Sequence, residues 1–143
     1  MSHNTPTERS NIFPFLTYRD APAAIEWLIK AFGFEKHSIH ADTEGNIIHA
    51  ELRLGPGVIM LHTAKDDFLN MKSPRDLAGV NQGISVYIED VDAHYERAKA
   101  HGAEIVQALT DTSYGSREYC ARDLEGHLWS FGTYQPAPVP TNE

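Results

Sequence analysis

The residues best suited to chemistry lie close together in NIIHAELRLGPGVIMLHT, residues 46–63, where His49 and Glu51 precede a Gly55-Pro56 pair and His62 follows it. If Gly55-Pro56 forms the two-residue tip of a hairpin, Leu54 pairs with Gly57, Glu51 lies opposite Met60, and His49 lies opposite His62. Two imidazoles and one carboxylate on a shared face can hold a divalent metal. They can also serve as a general base with its orienting partner, or simply recognise a polar ligand. Of the other histidines, His3 falls in a polar terminus, His37 and His40 on an edge-strand pattern of alternating residues, and His94 and His101 on a helical one. These read as surface or packing groups. Cys120 is the single cysteine, which excludes an internal disulfide and a thiolate zinc cluster and points to the cytoplasm. Strand alternation places it on the core side, as a small hydrophobe. Neither a phosphate-binding loop nor a dinucleotide glycine fingerprint is visible.

Positioning these groups requires a framework, and the chain carries it twice. In DAPAAIEWLIKAFGF, Asp20 caps a helix, Pro22 suits its first turn, Ile25, Leu28, Ile29 and Phe32 recur at helical spacing, and Gly33 ends it. In DVDAHYERAKAHGAE, Asp90 caps, Val91, His94, Tyr95 and Ala98 share a side, and Gly102 stops the run. Asp20 and Asp90 lie about 70 residues apart, as nearly do Gly33 and Gly102, which signals a duplication. Each helix follows one strand-like run (IFPFLTY, GISVYIE) and precedes three more: FEKHSIHA, NIIHAELRL and GVIMLHT, then AEIVQAL, SREYCARD and HLWSFGTY. The expectation is an α+β domain of two tandem βαβββ modules. Module one covers about 11–63, a connector with a helical turn near Pro74–Leu77 covers 64–82, and module two covers 83–134. Residues 1–10 and the proline-rich 135–143 read as disordered tails.

Period-two alternation divides each strand into a helix-facing side and an opposite one. The first takes Ile48, Ala50, Leu52, Leu54, Ile59, Leu61, Ile84, Val86, Ile88, Trp129 and Phe131. The second takes Phe13, Phe15, Thr17, Ile47, His49, Glu51, Met60, His62, Ser85, Tyr87 and Ser130, a mixed aromatic and polar face that either lines a cavity or closes a dimer. Tyr119 joins this face as a candidate ligand contact, and Arg117 either binds an anion or lies on the surface. A net charge of −8 disfavours nucleic acid, and no run nears the roughly 18 apolar residues of a membrane span.

The doubled module, the joint LTYRDAPAAIEWLIKAFGF, the hairpin AELRLGPGVIML and the ending YGSREYCARDLEGHLWSFGTY resemble the vicinal-oxygen-chelate superfamily of glyoxalases, bleomycin resistance proteins and dioxygenases. Within it they look closest to the bleomycin-resistance-like and PhnB-like branch. The resemblance implies a curved mixed sheet with helices on its outer face, and a homodimer. Its metal-ligand positions fall on Phe13, Met60, Gly83 and Ser130, none a donor for a divalent cation. It therefore implies a metal-free protein, without cofactor, that sequesters an aromatic or cationic metabolite or antibiotic at a module or dimer interface. The alternative is a glyoxalase-related isomerase or lyase using His49, Glu51 and His62, with one divalent metal ion or as general acid and base. A third possibility is an inner face that only closes a dimer.

Overall fold

Residues 10–140 are described by a computed structural model, so most of the expected N-terminal tail and residues 141–143 lie outside the described residues. The duplication is realised in full. Module one contains β1 (Phe15–Tyr18), α1 (Ala21–Phe32), β2 (Glu35–Ala41), β3 (Ile47–Leu54) and β4 (Gly57–Thr63). Module two contains β5 (Gly83–Tyr87), α2 (Val91–Ala100), β6 (Glu104–Asp111), β7 (Arg117–Arg122) and β8 (Leu128–Gly132). The strand orders are β1-β4-β3-β2 and β5-β8-β7-β6, so the curved surface is built as two equivalent four-stranded sheets. In each, the first strand pairs parallel with the last and the remaining pairs are antiparallel. A single 3-10 turn, Pro74–Asp76, interrupts the connector.

Both helices begin as their sequences dictate. The Asp20 carboxylate accepts from the Ala23 amide at 3.1 Å and Asp90 from Ala93 at 3.1 Å. Gly33, at φ 84°, ends α1 in the left-handed region, while Arg97 of α2 donates to the carbonyls of Lys30 (2.7 Å) and Ile29 (3.0 Å) in its last turn. The helices thus pack on one another, and the core is shared. Phe32 at the end of α1 reaches Trp129 and Phe131 of β8, with ring centroids 5.5 and 4.6 Å away.

The modules are also fastened by the turn between β7 and β8. Asp123, 6% exposed, accepts from the Tyr18 hydroxyl at 2.6 Å, the Trp129 indole at 3.0 Å, and the amides of Glu125, Gly126 and His127, each at 3.0 Å. Glu125, 2% exposed, accepts from the amides of Arg19 (2.6 Å) and Asp20 (2.8 Å) and from the Ser73 hydroxyl. A buried carboxylate is costly unless its oxygens are fully hydrogen-bonded, and here N–H and O–H dipoles replace water. The phenol of Tyr18 is correspondingly pushed well above its ordinary value, by burial first and then by the neighbouring Asp123 charge.

Two assignments made from alternation are corrected. Ile47 is buried and Ile48 is 55% exposed, the reverse of the expectation. The β2–β3 register steps from His40↔His49 to Ala41↔Ile47, leaving Ile48 as the unpaired residue of a bulge, which flips the faces beyond it. On β7, Tyr119 and Ala121 are buried, whereas Cys120 pairs with Ser130 and shares its inner face. Tyr119 is therefore a core residue and not a ligand contact. Its hydroxyl donates at 2.6 Å to Nδ1 of His94, whose Nε2–H donates to the Phe32 carbonyl at 2.8 Å.

Replacing Asp123 by alanine is expected to cost about 3 kcal/mol or more in urea denaturation, because five donors lose one acceptor group and several stay buried. A pH effect follows from His94, whose pKa burial holds below the ordinary imidazole value. Below about pH 6.5 the unfolded chain then binds more protons than the folded one, so stability is full above that pH and declines as pH falls toward the folded pKa. Denaturation followed from about pH 7.5 down to about pH 5.5 should show this decline, with a smaller slope for His94→Gln.

Candidate functional site

A cavity of about 1000 Å³ opens where the free edges of β1 and β5 approach the connector. One wall is the chain leading into and along β1, from Ile12 to Thr17. A second is the connector, including Asn70, Met71, Lys72 and residues 77–82, and a third comprises Gly83, Ile84, Ser85, His127 and Leu128. Phe13 and Phe15, 40% and 50% exposed, present their rings here. A volume of this size suits a drug-sized molecule, and the apolar lining with a few polar groups is the usual composition of a small-molecule pocket. Lys72 supplies the charge, and none of the lining residues is acidic.

The expected inner face divides between this cavity and the sheet beyond it. Phe13, Phe15, Thr17 and Ser85 line the cavity, with Phe13 lying just ahead of β1. Met60 is carried beside Phe15 by the β1–β4 register, and Ser130 beside Ser85 by that of β5 and β8. Tyr87, two residues on from Ser85, is half-exposed. The hairpin has the expected register, Leu54↔Gly57 and Glu51↔Met60. Continued by one pair beyond Ala50↔Leu61, it sets His49 across from His62.

Two of these polar side chains pair with each other, and the third turns to β1. His49 Nε2 donates to Glu51 at 2.9 Å, and His37 lies 3.9 Å from the other carboxylate oxygen. The Glu51 carboxyl is held below its usual range chiefly by that bond from His49. His62 Nε2 is hydrogen-bonded to Thr17 Oγ1 at 2.9 Å, and its ring lies 6.1 Å from that of Phe15. Among the described residues, no three His, Cys, Asp or Glu side chains converge as a metal-binding group. The four positions that the resemblance assigns to metal ligands, and the neighbouring pairs Phe15/Met60 and Ser85/Ser130, offer phenyl, thioether and hydroxyl groups or no side chain at all. Such a donor set does not fit a divalent metal.

Arg117 pairs with Asp92 at 2.8 Å and Asp111 at 3.1 Å, away from the cavity, which resolves its role as a surface ion-pair residue. The connector and His127 are contributors that sequence patterning missed. Polar composition marked residues 64–82 only as a link, and nothing local distinguishes His127, whose Nε2–H donates to the Thr17 carbonyl at 2.8 Å. Burial first, then the Lys65 charge, holds His62 below the ordinary imidazole value despite the opposing pull of Asp67. An NMR titration of its ring protons should therefore give a midpoint below about 6.5.

The profile of the Glyoxalase/Bleomycin resistance protein/Dioxygenase superfamily matches residues 12–131. The Mycobacterium bovis protein Mb0911c is 36% identical over 121 residues, covering 83% of this chain and 80% of its own. Rv0887c of Mycobacterium tuberculosis shows the same identity over 71% of its length. Among solved structures, TioX from Micromonospora sp. ML1 is 37% identical with a TM-score of 0.71, covering 88% of this chain and 99% of TioX. The fosfomycin resistance protein FosX from Listeria monocytogenes, in complex with Mn(II) and sulfate, shares the fold at 17% identity and a TM-score of 0.65, over 88% and 93% of the two chains. No helix among the described residues is long and apolar enough to cross a membrane. With its doubled module, its inner face and a profile match that spans nearly all of the described chain, this protein belongs to the glyoxalase, bleomycin resistance protein and dioxygenase superfamily.

Proposed function

We propose that the chain is a small-molecule-binding protein of the bleomycin-resistance type, which sequesters an aromatic metabolite or antibiotic without a metal, in the cytoplasm and as a homodimer. The observation that carries this reading is the cavity of about 1000 Å³ walled by Phe13 and Phe15. It is supported by the absence of donor side chains at Phe13, Met60, Gly83 and Ser130. The aromatic half of the expected ligand chemistry is favoured over the cationic half, because Glu51 is engaged by His49 outside the cavity and Lys72 is the charge in the wall. A planar compound with an anionic or carbonyl group suits such a wall best. Dimerisation would cover the aromatic part of the inner face, where Phe15 and Tyr87 are about half-exposed.

His62 favours a second reading, because it is held toward the neutral form beside Thr17 at the cavity margin and is thus placed as a general base for an isomerase or lyase. Here FosX, with its Mn(II), marks the metal-dependent version of the alternative. Loss of a turnover activity in a folded His62→Ala variant would favour that reading over sequestration.

Two measurements on the tag-free protein separate these cases. Metal analysis after incubation with Zn²⁺, Ni²⁺, Mn²⁺ and Fe²⁺ should find far less than one ion per chain and no thermal shift from the metal. A thermal-shift screen of planar aromatic compounds should yield a stabilising ligand, since a binder at about a hundredfold over its Kd adds roughly 2.7 kcal/mol. Phe15→Ala should weaken that shift. Stoichiometric metal, or a screen with no aromatic binder, would overturn the proposal.

A further inference from the structure

The connector forms one wall of the cavity, yet within residues 64–82 its regular structure is limited to the three-residue turn Pro74–Asp76. What holds it is the β7–β8 turn of module two. Ser73, fully buried, hydrogen-bonds to Glu125, and the same hydroxyl accepts from the Arg75 amide at 3.2 Å, starting the 3-10 turn. Arg75 donates to the Leu124 carbonyl at 3.3 Å. Gly126, at φ 102°, lies so near Pro74 that a Cβ there would sit 3.2 Å from the proline side chain. Arg19 also pairs with Asp76 across the same seam.

Glu125 is the junction of these contacts. One carboxylate oxygen serves both the Arg19 amide and Ser73, and the other serves the Asp20 amide at the start of α1. Among the described residues no basic side chain hydrogen-bonds to it, so its buried charge is balanced by dipoles that come from two other parts of the chain. Two residues further on, His127 both lines the cavity and holds the Thr17 carbonyl of the β1 wall. We infer that Glu125 is the positioning residue of the cavity: by joining Ser73 to the β1–α1 corner, it sets the connector as a strap against the other two walls, and release of Ser73 alone frees the strap while both modules stay folded. The strap's attachment stands on these contacts alone, and only its importance for ligand binding rests on the proposed function.

Limited trypsinolysis of the full chain tests this, because Lys72 and Arg75 flank the attachment point. Ser73→Ala removes the strap's bond and leaves the Arg19 and Asp20 amides on Glu125. Glu125→Gln keeps the shape but places an amide NH₂ where an acceptor is needed. Well below the melting temperature, both variants should be cut after Lys72 and Arg75 about tenfold faster than wild type, as expected for loss of a hydrogen bond to a charged group. In Ser73→Ala, which leaves the Arg19 and Asp20 amides on Glu125, cleavage after Lys30 and Lys99, in the helices, should not accelerate. A purely structural contribution would speed all sites together by global opening. The inference is overturned if Lys72 and Arg75 are cut at the wild-type rate in both variants, or only in parallel with Lys30 and Lys99. A screen without any aromatic binder would sink the proposed function and leave these cleavage rates as predicted.

Discussion

The architecture depends on a pair of buried carboxylates to which no cation among the described residues is hydrogen-bonded. Asp123 and Glu125 exchange water for hydrogen bonds from amides, hydroxyls and an indole, and half of those donors lie in other parts of the chain. An ionised carboxylate in an apolar surrounding is tolerated only when it is this fully satisfied. The requirement therefore acts as a specification: β1 must end at Tyr18, α1 must start at Asp20 and the connector must bring Ser73 inward, or the charge is stranded. The aromatic packing of Phe32 and Phe34 on Trp129 supplies non-directional attraction between the modules, and the carboxylates supply the register.

This seam also explains why a duplicated chain has an asymmetric site. In module one the turn before the last strand is Gly55-Pro56, too short to reach anything. In module two the equivalent turn runs from Asp123 to His127 and spans to the other half. The longer turn brings together the β1 wall, the connector and the start of β5, and the open cavity lies between these three. The inner faces have diverged in the same way. The row across module one carries His40, His49, His62 and Thr17, whereas β8 offers Ser130 and Gly132.

The proposed binding function rests on how the polar groups near the cavity are engaged. The polar groups most able to react are satisfied by one another, His49 with Glu51 and His62 with Thr17, while the rings of Phe13 and Phe15 and the strap present apolar surface to the cavity. The superfamily groups glyoxalases, bleomycin resistance proteins and dioxygenases on one scaffold, so side chains at the site decide function, not the fold.

The sequence by itself determined the doubled βαβββ framework, both helix starts and stops, the Leu54–Gly57 and Glu51–Met60 pairing, and the two faces of β5 and β8. All of these are written in caps, turns and periodicities that act over a few residues. Two features escaped it within single strands, the exposure of Ile48 and the burial of Tyr119. For Ile48 the cause is a bulge, which reverses alternation with no local signature, and for Tyr119 it is the hydroxyl's partner His94, which lies on a helix 25 residues away. The rest was decided by tertiary structure alone: that a polar connector becomes a cavity wall, that His127 faces it, and that Asp123 reaches Tyr18 across 105 residues. Such contacts depend on how two finished modules dock, and docking is governed by buried area and by the need to satisfy buried charge, neither of which leaves a periodic mark along the chain.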